Sequence, residues 1–307
     1  MKTVDELKTY FETELAPNLK SLEKKRKTII SKAITVLIIA TVALVLWVSF
    51  VLLKDLSPGF LLLGVVVVPA LAYVFYKEIT SNTAFYKAFK LKVINRIVHF
   101  INDSFVYDPR KSIPPVLFAE SKIFADLPNK YDGDDFVVGS LGENIQVEFS
   151  EIIAQKKFRK GTPNDKDKKN TELKTIFKGL FFVAQMNDHD FGSGFILPKG
   201  MQFDATERGY PADAYHKVES NNAEFNRYFD VYAQDTQRVI TRLDTQGVAD
   251  ILVSYKQKHK NNVYYSFQGN RVYVGVSFEK DLFEPKLYHS MLDFELIKEY
   301  YDVLYNA

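Results

Sequence analysis

The chain has 307 residues, enough for a membrane anchor and one domain of ordinary size. Its 40 basic and 38 acidic side chains leave a formal net charge of +2, which excludes the one-sided charge of a dedicated nucleic-acid binder. With no cysteine, disulfide frameworks, thiolate nucleophiles, cysteine zinc sites, iron–sulfur clusters and acylated cysteines are excluded; the fold rests on an apolar core, for which 25 Phe and 18 Tyr supply material.

The first element is helical. Thr3-Val4-Asp5-Glu6 has the capping-box pattern, and Val4, Leu7, Phe11 and Leu15 follow at spacings of three and four. Pro17 is expected to interrupt this helix, with a second running from residue 18 to 53.

Ala33 to Leu53 carries no charge and is apolar on every face. At roughly 0.3 to 0.6 kcal/mol per apolar residue near the bilayer centre, insertion is favoured by several kcal/mol. Phe60 to Tyr76 is a second, shorter uncharged run, and Pro69 inside it crowds the carbonyl of Val65, so a kink is expected there. Neither run has the polar stripe of a soluble amphipathic helix. Lys54 to Gly59 has the length of a hairpin loop, and the long polar segment before the first run argues against a secretory signal peptide.

Basic residues set the expected orientation. Lys20, Lys24, Lys25, Arg26, Lys27 and Lys32 precede the first run, and Lys77, Lys87, Lys90, Lys92 and Arg96 come after the second, against Lys54 alone in the loop. The positive-inside rule then puts both termini in the cytoplasm.

Ile79, Phe85, Phe89, Val93, Ile97 and Phe100 extend the second run as one amphipathic helix to about residue 102, either a stalk or a collar packed on the domain. From residue 108 the punctuation changes: Asp108-Pro109, Ile113-Pro114-Pro115 and Tyr131-Asp132-Gly133-Asp134-Asp135 read as loops around a short helix at Val116 to Phe124. Ile145, Val147 and Phe149 then alternate with Gln146, Glu148 and Ser150 as a strand with one wet face, and Ile176 to Ala184 reads as a central strand buried on both faces. A turn at Asn187 to Asp190 returns the chain through Phe191 to Leu197, and Tyr228 to Ala233 forms another strand. Asp235 caps a helix bearing Val239, Ile240 and Leu243; Gly247 breaks it, and a second helix continues to Lys258. Val263 to Phe267, the turn Gln268-Gly269-Asn270 and the alternation of Val272, Val274, Val276 and Phe278 make a hairpin. Leu292, Leu296, Tyr300 and Leu304 give a final helix.

The expected fold class is α+β: a two-helix transmembrane hairpin with helical cytoplasmic extensions, then a mostly antiparallel sheet with helices on one side. The expected layout is amphipathic helices over 1–32, a hairpin over 33–76 with spans 33–53 and 60–76, a helical extension over 77–107 and a cytoplasmic domain over 108–307.

Ile176-Phe177-Lys178-Gly179-Leu180-Phe181-Phe182, then Phe229-Asp230-Val231-Tyr232 with Asp235, then Phe283-Glu284-Pro285, resemble in order a bacterial family of two-span membrane proteins catalogued as a domain of unknown function. The resemblance covers the anchor and nearly all of the soluble domain. It implies no catalytic residues, and it implies a LemA-type membrane protein, often encoded nearby, as a partner. Members usually have a Leu-Thr-Pro step after the second motif, where this chain has Leu243-Asp244-Thr245.

Chemical motifs are sparse. The five histidines, His99, His189, His216, His259 and His289, lack any paired-ligand spacing. Phe191-Gly192-Ser193-Gly194-Phe195 lacks the third glycine of a dinucleotide loop and suits a strand twist or bulge. Asp132, Asp134 and Glu143 fit three positions of a calcium loop, but Phe136 and Val137 stand where a ligand and the turn glycine belong; an acidic surface turn explains the same residues. Arg238, Arg242, Lys256, Lys258 and Lys260 do not line one helix face, which argues against helix-turn-helix binding of DNA. Lys156, Lys157, Arg159 and Lys160, with Lys166, Lys168 and Lys169 beyond them, are either an anionic-lipid contact or a solvated connection between strands. No cofactor or resident metal is expected. The functional expectation is a membrane-tethered interaction or assembly module in a bacterial plasma membrane, its partners the bilayer, a second copy or the LemA-type protein; the alternative is an anchored enzyme with a site built from dispersed residues.

Overall fold

The computed structural model describes residues 2–54, 56–159, 171–187 and 189–306. They form two compact units, Met1–Ile101 with Phe283–Asn306, and Asn102–Leu282.

The first unit is helical. Thr3 caps α1 (Val4–Tyr10): its hydroxyl accepts from the Glu6 N–H, while the Glu6 carboxylate accepts from the Thr3 N–H. Pro17 does not end this helix. A π-helical turn, Phe11–Leu15, carries the chain into α2 (Ala16–Leu53), and Pro17 falls in the first turn of α2. There the Ala16 N–H reaches back to the Phe11 carbonyl, and the widened turn gives room for a ring without an N–H. Opposite α2 runs α3 (Pro58–Thr80), continuous through Pro69. Trp47 lies against Gly64 and donates its indole N–H to the Phe60 carbonyl at 2.9 Å.

The expected single helix to residue 102 is broken at Ser81–Asn82, because Asn82 Oδ1 accepts the Phe85 N–H at 2.9 Å and starts a new helix. This is α4 (Thr83–Phe89), which passes through a second π turn, Lys90–Ile94, into α5 (Asn95–Ile101). The apolar stripe is buried as its spacing implied, at Phe85, Phe89, Val93 and Ile97, and so are Leu7, Leu15, Leu19 and Leu22. The C-terminal helix Phe294–Asn306 belongs to this unit too: Tyr300 packs edge-on to Phe89 at 5.4 Å, and the Tyr301 hydroxyl donates to the Lys2 carbonyl. Arg26, one of the basic residues before the first apolar run, is buried and paired inside the unit. Its Nε and Nη2 donate to the Glu23 carboxylate at 2.8 and 2.7 Å, and its Nη1 donates to the Leu287 carbonyl.

The second unit holds β1 (Val106–Asp108), α6 (Pro115–Glu120), β2 (Lys130–Leu141), β3 (Ile145–Arg159), β4 (Thr171–Met186), β5 (Ser193–Pro198), β6 (His216–Val218), α7 (Phe225–Tyr228), β7 (Phe229–Ala233), α8 (Thr236–Ile240), α9 (Val248–His259), β8 (Val263–Gln268) and β9 (Arg271–Ser277). The strands make one nine-stranded antiparallel sheet in the order β1-β2-β3-β4-β9-β8-β5-β7-β6, so the α+β class holds. Although β4 and β5 are consecutive, the β8–β9 hairpin lies between them. Opposite residues of an antiparallel pair share a face. Ala154 faces Phe177 and Val183 faces Tyr273; with Phe181, Phe118 of α6 and Phe195 they form the main core. The run Tyr131 to Asp135, expected as a loop, is instead part of β2.

Candidate functional sites

Ile145, Val147 and Phe149 occupy the odd positions of β3, and the next odd position is Glu151, a buried acid on the face opposite the one by which Ile152 and Ala154 join the main core. In the ladder Glu151 stands directly across from Asp134. One step further the register slips by a residue between Asp134 and Val137, a β-bulge in β2. At this bulge Asp135 takes a φ of 58°, a left-handed conformation that aspartate tolerates better than most residues. The outcome is a cluster: one carboxylate oxygen from each of Asp134, Asp135 and Glu151 lies within 4.8 Å of the others.

The cluster is nearly closed to solvent. Asp135 is 1% exposed and Glu151 5%, whereas Asp134 is half-buried and forms the accessible side. Tyr107, on β1, donates its hydroxyl to Asp135 Oδ1. Glu151 Oε2 accepts the Leu282 N–H at 3.1 Å, but Oε1 is buried with no hydrogen-bond partner. Burial, with the charges of Asp134, Asp281 and Asp135 close by, pushes the Glu151 carboxyl up to about 7. Lys178, one residue before the Gly179 that pairs with Ile152, is held by Asp281 at 2.8 Å. Chemically, the arrangement can hold a proton between carboxylates or supply oxygens to a cation.

The calcium-loop template does not assemble. Asp132 is exposed and accepts the N–H of Gly133, and Glu143 lies in the turn at the far end of β2. Among the described residues, histidines make no metal-capable group; Asp134, Asp135 and Glu151 do. Asp135 and Glu151 escaped the sequence reading because a bulge, not a spacing, brings them together. The one legible signal was an acid continuing the apolar positions of β3.

A second feature lies at the other end of β3. The β2 ladder stops at Gln155 and the β9 ladder at Gly179, but β3 and β4 go on pairing through Lys156–Lys174, Lys157–Leu173, Phe158–Glu172 and Arg159–Thr171. This part is a two-stranded arm. Phe158 and Leu173, on opposite faces, are 40% and 46% exposed. Of the candidate lipid-contact residues, Lys156 is bound to Asp126 at 2.6 Å and Lys157 is exposed. The side chain of Arg159 lies outside the described residues, as do Lys160, Lys166, Lys168 and Lys169.

The fold thus defines a class: an α+β domain carried by a chain whose N-terminal helices include two stretches long and apolar enough to cross a membrane. Residues 175–307 match the model of a family described as a protein of unknown function (DUF3137), in agreement with the resemblance carried by the three motifs. The match begins in β4, so the anchor, β1 to β3 and the carboxylate cluster precede it. No curated protein and no solved structure matches the chain.

Proposed function

We propose that this protein is a membrane-tethered interaction or assembly module, anchored in a bacterial plasma membrane by α2 and α3 with both termini in the cytoplasm. The tether rests on exposure. Only 6% and 11% of the most apolar stretches of the two long helices are buried within the protein, and Leu37, Ile38, Val45, Leu46, Phe60, Leu62, Val66 and Val74 face outward. A hairpin at the core of a soluble protein would cover these side chains; in lipid they need no cover. The cytoplasmic orientation rests on the basic flanks. Lys24, Lys25 and Lys32 line a cavity of about 710 Å³ with Ser21 and Asn82, close in sequence to the start of the first apolar run, and such basic side chains are attracted to an anionic leaflet.

The interaction role rests on one observation, the arm of β3 and β4. A two-stranded ribbon has no core of its own, and apolar side chains on both of its faces are stabilised when another surface covers them. A second copy of the chain or a LemA-type membrane protein is the partner we propose. The chain in mild detergent, alone and coexpressed with a LemA-type protein, is expected to give a stoichiometric complex by light scattering that the double variant Phe158→Ser, Leu173→Ser loses while keeping its circular dichroism. A wild-type monomer under both conditions refutes the assembly role. If the arm instead lies on an anionic leaflet through Lys156, Lys157, Arg159 and Lys160, the wild type is monomeric from the start and the same variant loses binding to acidic vesicles. A phosphatase fused after Ala307 is expected to stay inactive in cells; activity there refutes the orientation.

A further inference from the structure

We propose that Asp134, Asp135 and Glu151 form a binding site for a single hard divalent cation. Four observations converge. The donors are carboxylate oxygens, the ligands that hard cations take. They come from adjacent strands and a bulge, so the backbone and not side-chain flexibility fixes their positions. Their mutual separation, within 4.8 Å, lets all three oxygens reach one cation at the metal–oxygen distances of about 2.0 to 2.6 Å that hard divalent ions take. Glu151 Oε1 lies buried with no hydrogen-bond donor, in a side chain directed at the two aspartates; a ligand bond would satisfy it.

The surroundings suit this role. Tyr107 donates to Asp135 Oδ1 and the Leu282 N–H to Glu151 Oε2, and such bonds hold liganding carboxylates in a fixed orientation. Lys178, close in the β3–β4 register, gives its charge to Asp281. Entry is from the half-buried Asp134 side, where waters complete the coordination. The site lies in the sheet unit, apart from the arm, and does not depend on the membrane reading.

The test uses the full chain in mild detergent, stripped with chelator and titrated above neutral pH with calcium, manganese and magnesium chlorides. Calorimetry is expected to give one cation per chain, and the unfolding midpoint of the sheet unit is expected to rise as the bound cation stabilises the folded form. Asp134→Asn, at the half-exposed ligand, should weaken binding roughly tenfold or more while leaving the fold intact. Glu151→Gln should abolish the cation-dependent rise, with a metal-free midpoint at or above that of the wild type, because an amide can be buried there without charge. The proposal is overturned if none of the three cations binds or shifts the midpoint, or if Glu151→Gln responds to the cations as the wild type does. A midpoint that tracks pH and ignores all three cations means that the carboxylates share a proton, and also overturns it.

Discussion

Replacing Gly179 by alanine tests the packing at the centre of the sheet. Gly179 lies in the first of the three family-like motifs and pairs with Ile152 on one side and Ser277 on the other, at a φ of 147° that L-residues rarely adopt. A Cβ placed there would sit 2.1 Å from the Val276 carbonyl oxygen and 2.9 Å from the Phe278 nitrogen, both backbone atoms that no rotamer change can move. To reach ordinary contact at 3.4 Å, β4 and β9 must separate by about 1.3 Å at this point, which opens the ladder that places Leu180 and Phe181. Backbone strain contributes roughly 1 to 3 kcal/mol and overpacking a similar amount. The expected loss is therefore about 4 kcal/mol, a large part of the roughly 5 to 15 kcal/mol by which domains are stable. The control is Gly142→Ala in the β2–β3 turn. There φ is also positive, at 67°, but nothing lies within 4 Å, so the expected loss is only about 1 to 2 kcal/mol. Native-state hydrogen exchange of the β4 and β9 amides reads the difference locally, which matters because two units need not unfold together. Equal protection loss in the two variants, within about 0.5 kcal/mol, would refute the close-approach argument.

The ion pairs and the helix hairpin give two further expectations. Burial by itself would raise the Asp230 carboxyl, but Lys217, the Gly200 N–H and Lys199 outweigh it and hold the group down at about 2. A depressed carboxyl stabilises the fold above its unfolded value of 3.8 and loses that contribution as pH falls toward 2, by about 2 kcal/mol at most; acid titration of wild type and Asp230→Asn should show this slope in the former only, and equal slopes would refute it. In the helical unit, a Cβ at Gly64 would lie 2.0 Å from Trp47 Cδ1, so Gly64→Ala must displace the indole and break its bond to Phe60, destabilising the hairpin by roughly 1 to 3 kcal/mol. Trp47 is the sole tryptophan, and its emission should shift in the variant; an unchanged spectrum would mean that the two helices do not meet there.

Local signals in the sequence held up where the physics is local. The Thr3–Glu6 capping box, the Asp235 cap, the break at Gly247 and the β8–β9 hairpin all formed at their predicted places. The stripe from Phe85 to Phe100 was buried as its period required. Misreadings came from competition between local rules. Asn82 capped a new helix inside a continuous apolar stripe, and the glycine and aspartates at 131–135, loop-formers by composition, were drawn into β2 by a full ladder with β3. Pro17, a breaker by rule, was absorbed because the π turn before it had already opened the backbone.

The sequence by itself determined the two apolar helices, the antiparallel α+β class and the motifs that match a family, because hydropathy, period and turn chemistry act within a few residues of each other. Only the tertiary structure decided that β8 and β9 lie between β4 and β5, that the C-terminal helix belongs to the helical unit, and that Asp134, Asp135 and Glu151 meet. Each of these depends on which distant backbone groups pair and in what register. A bulge of one residue re-aims a side chain, and no pattern along a single strand announces it.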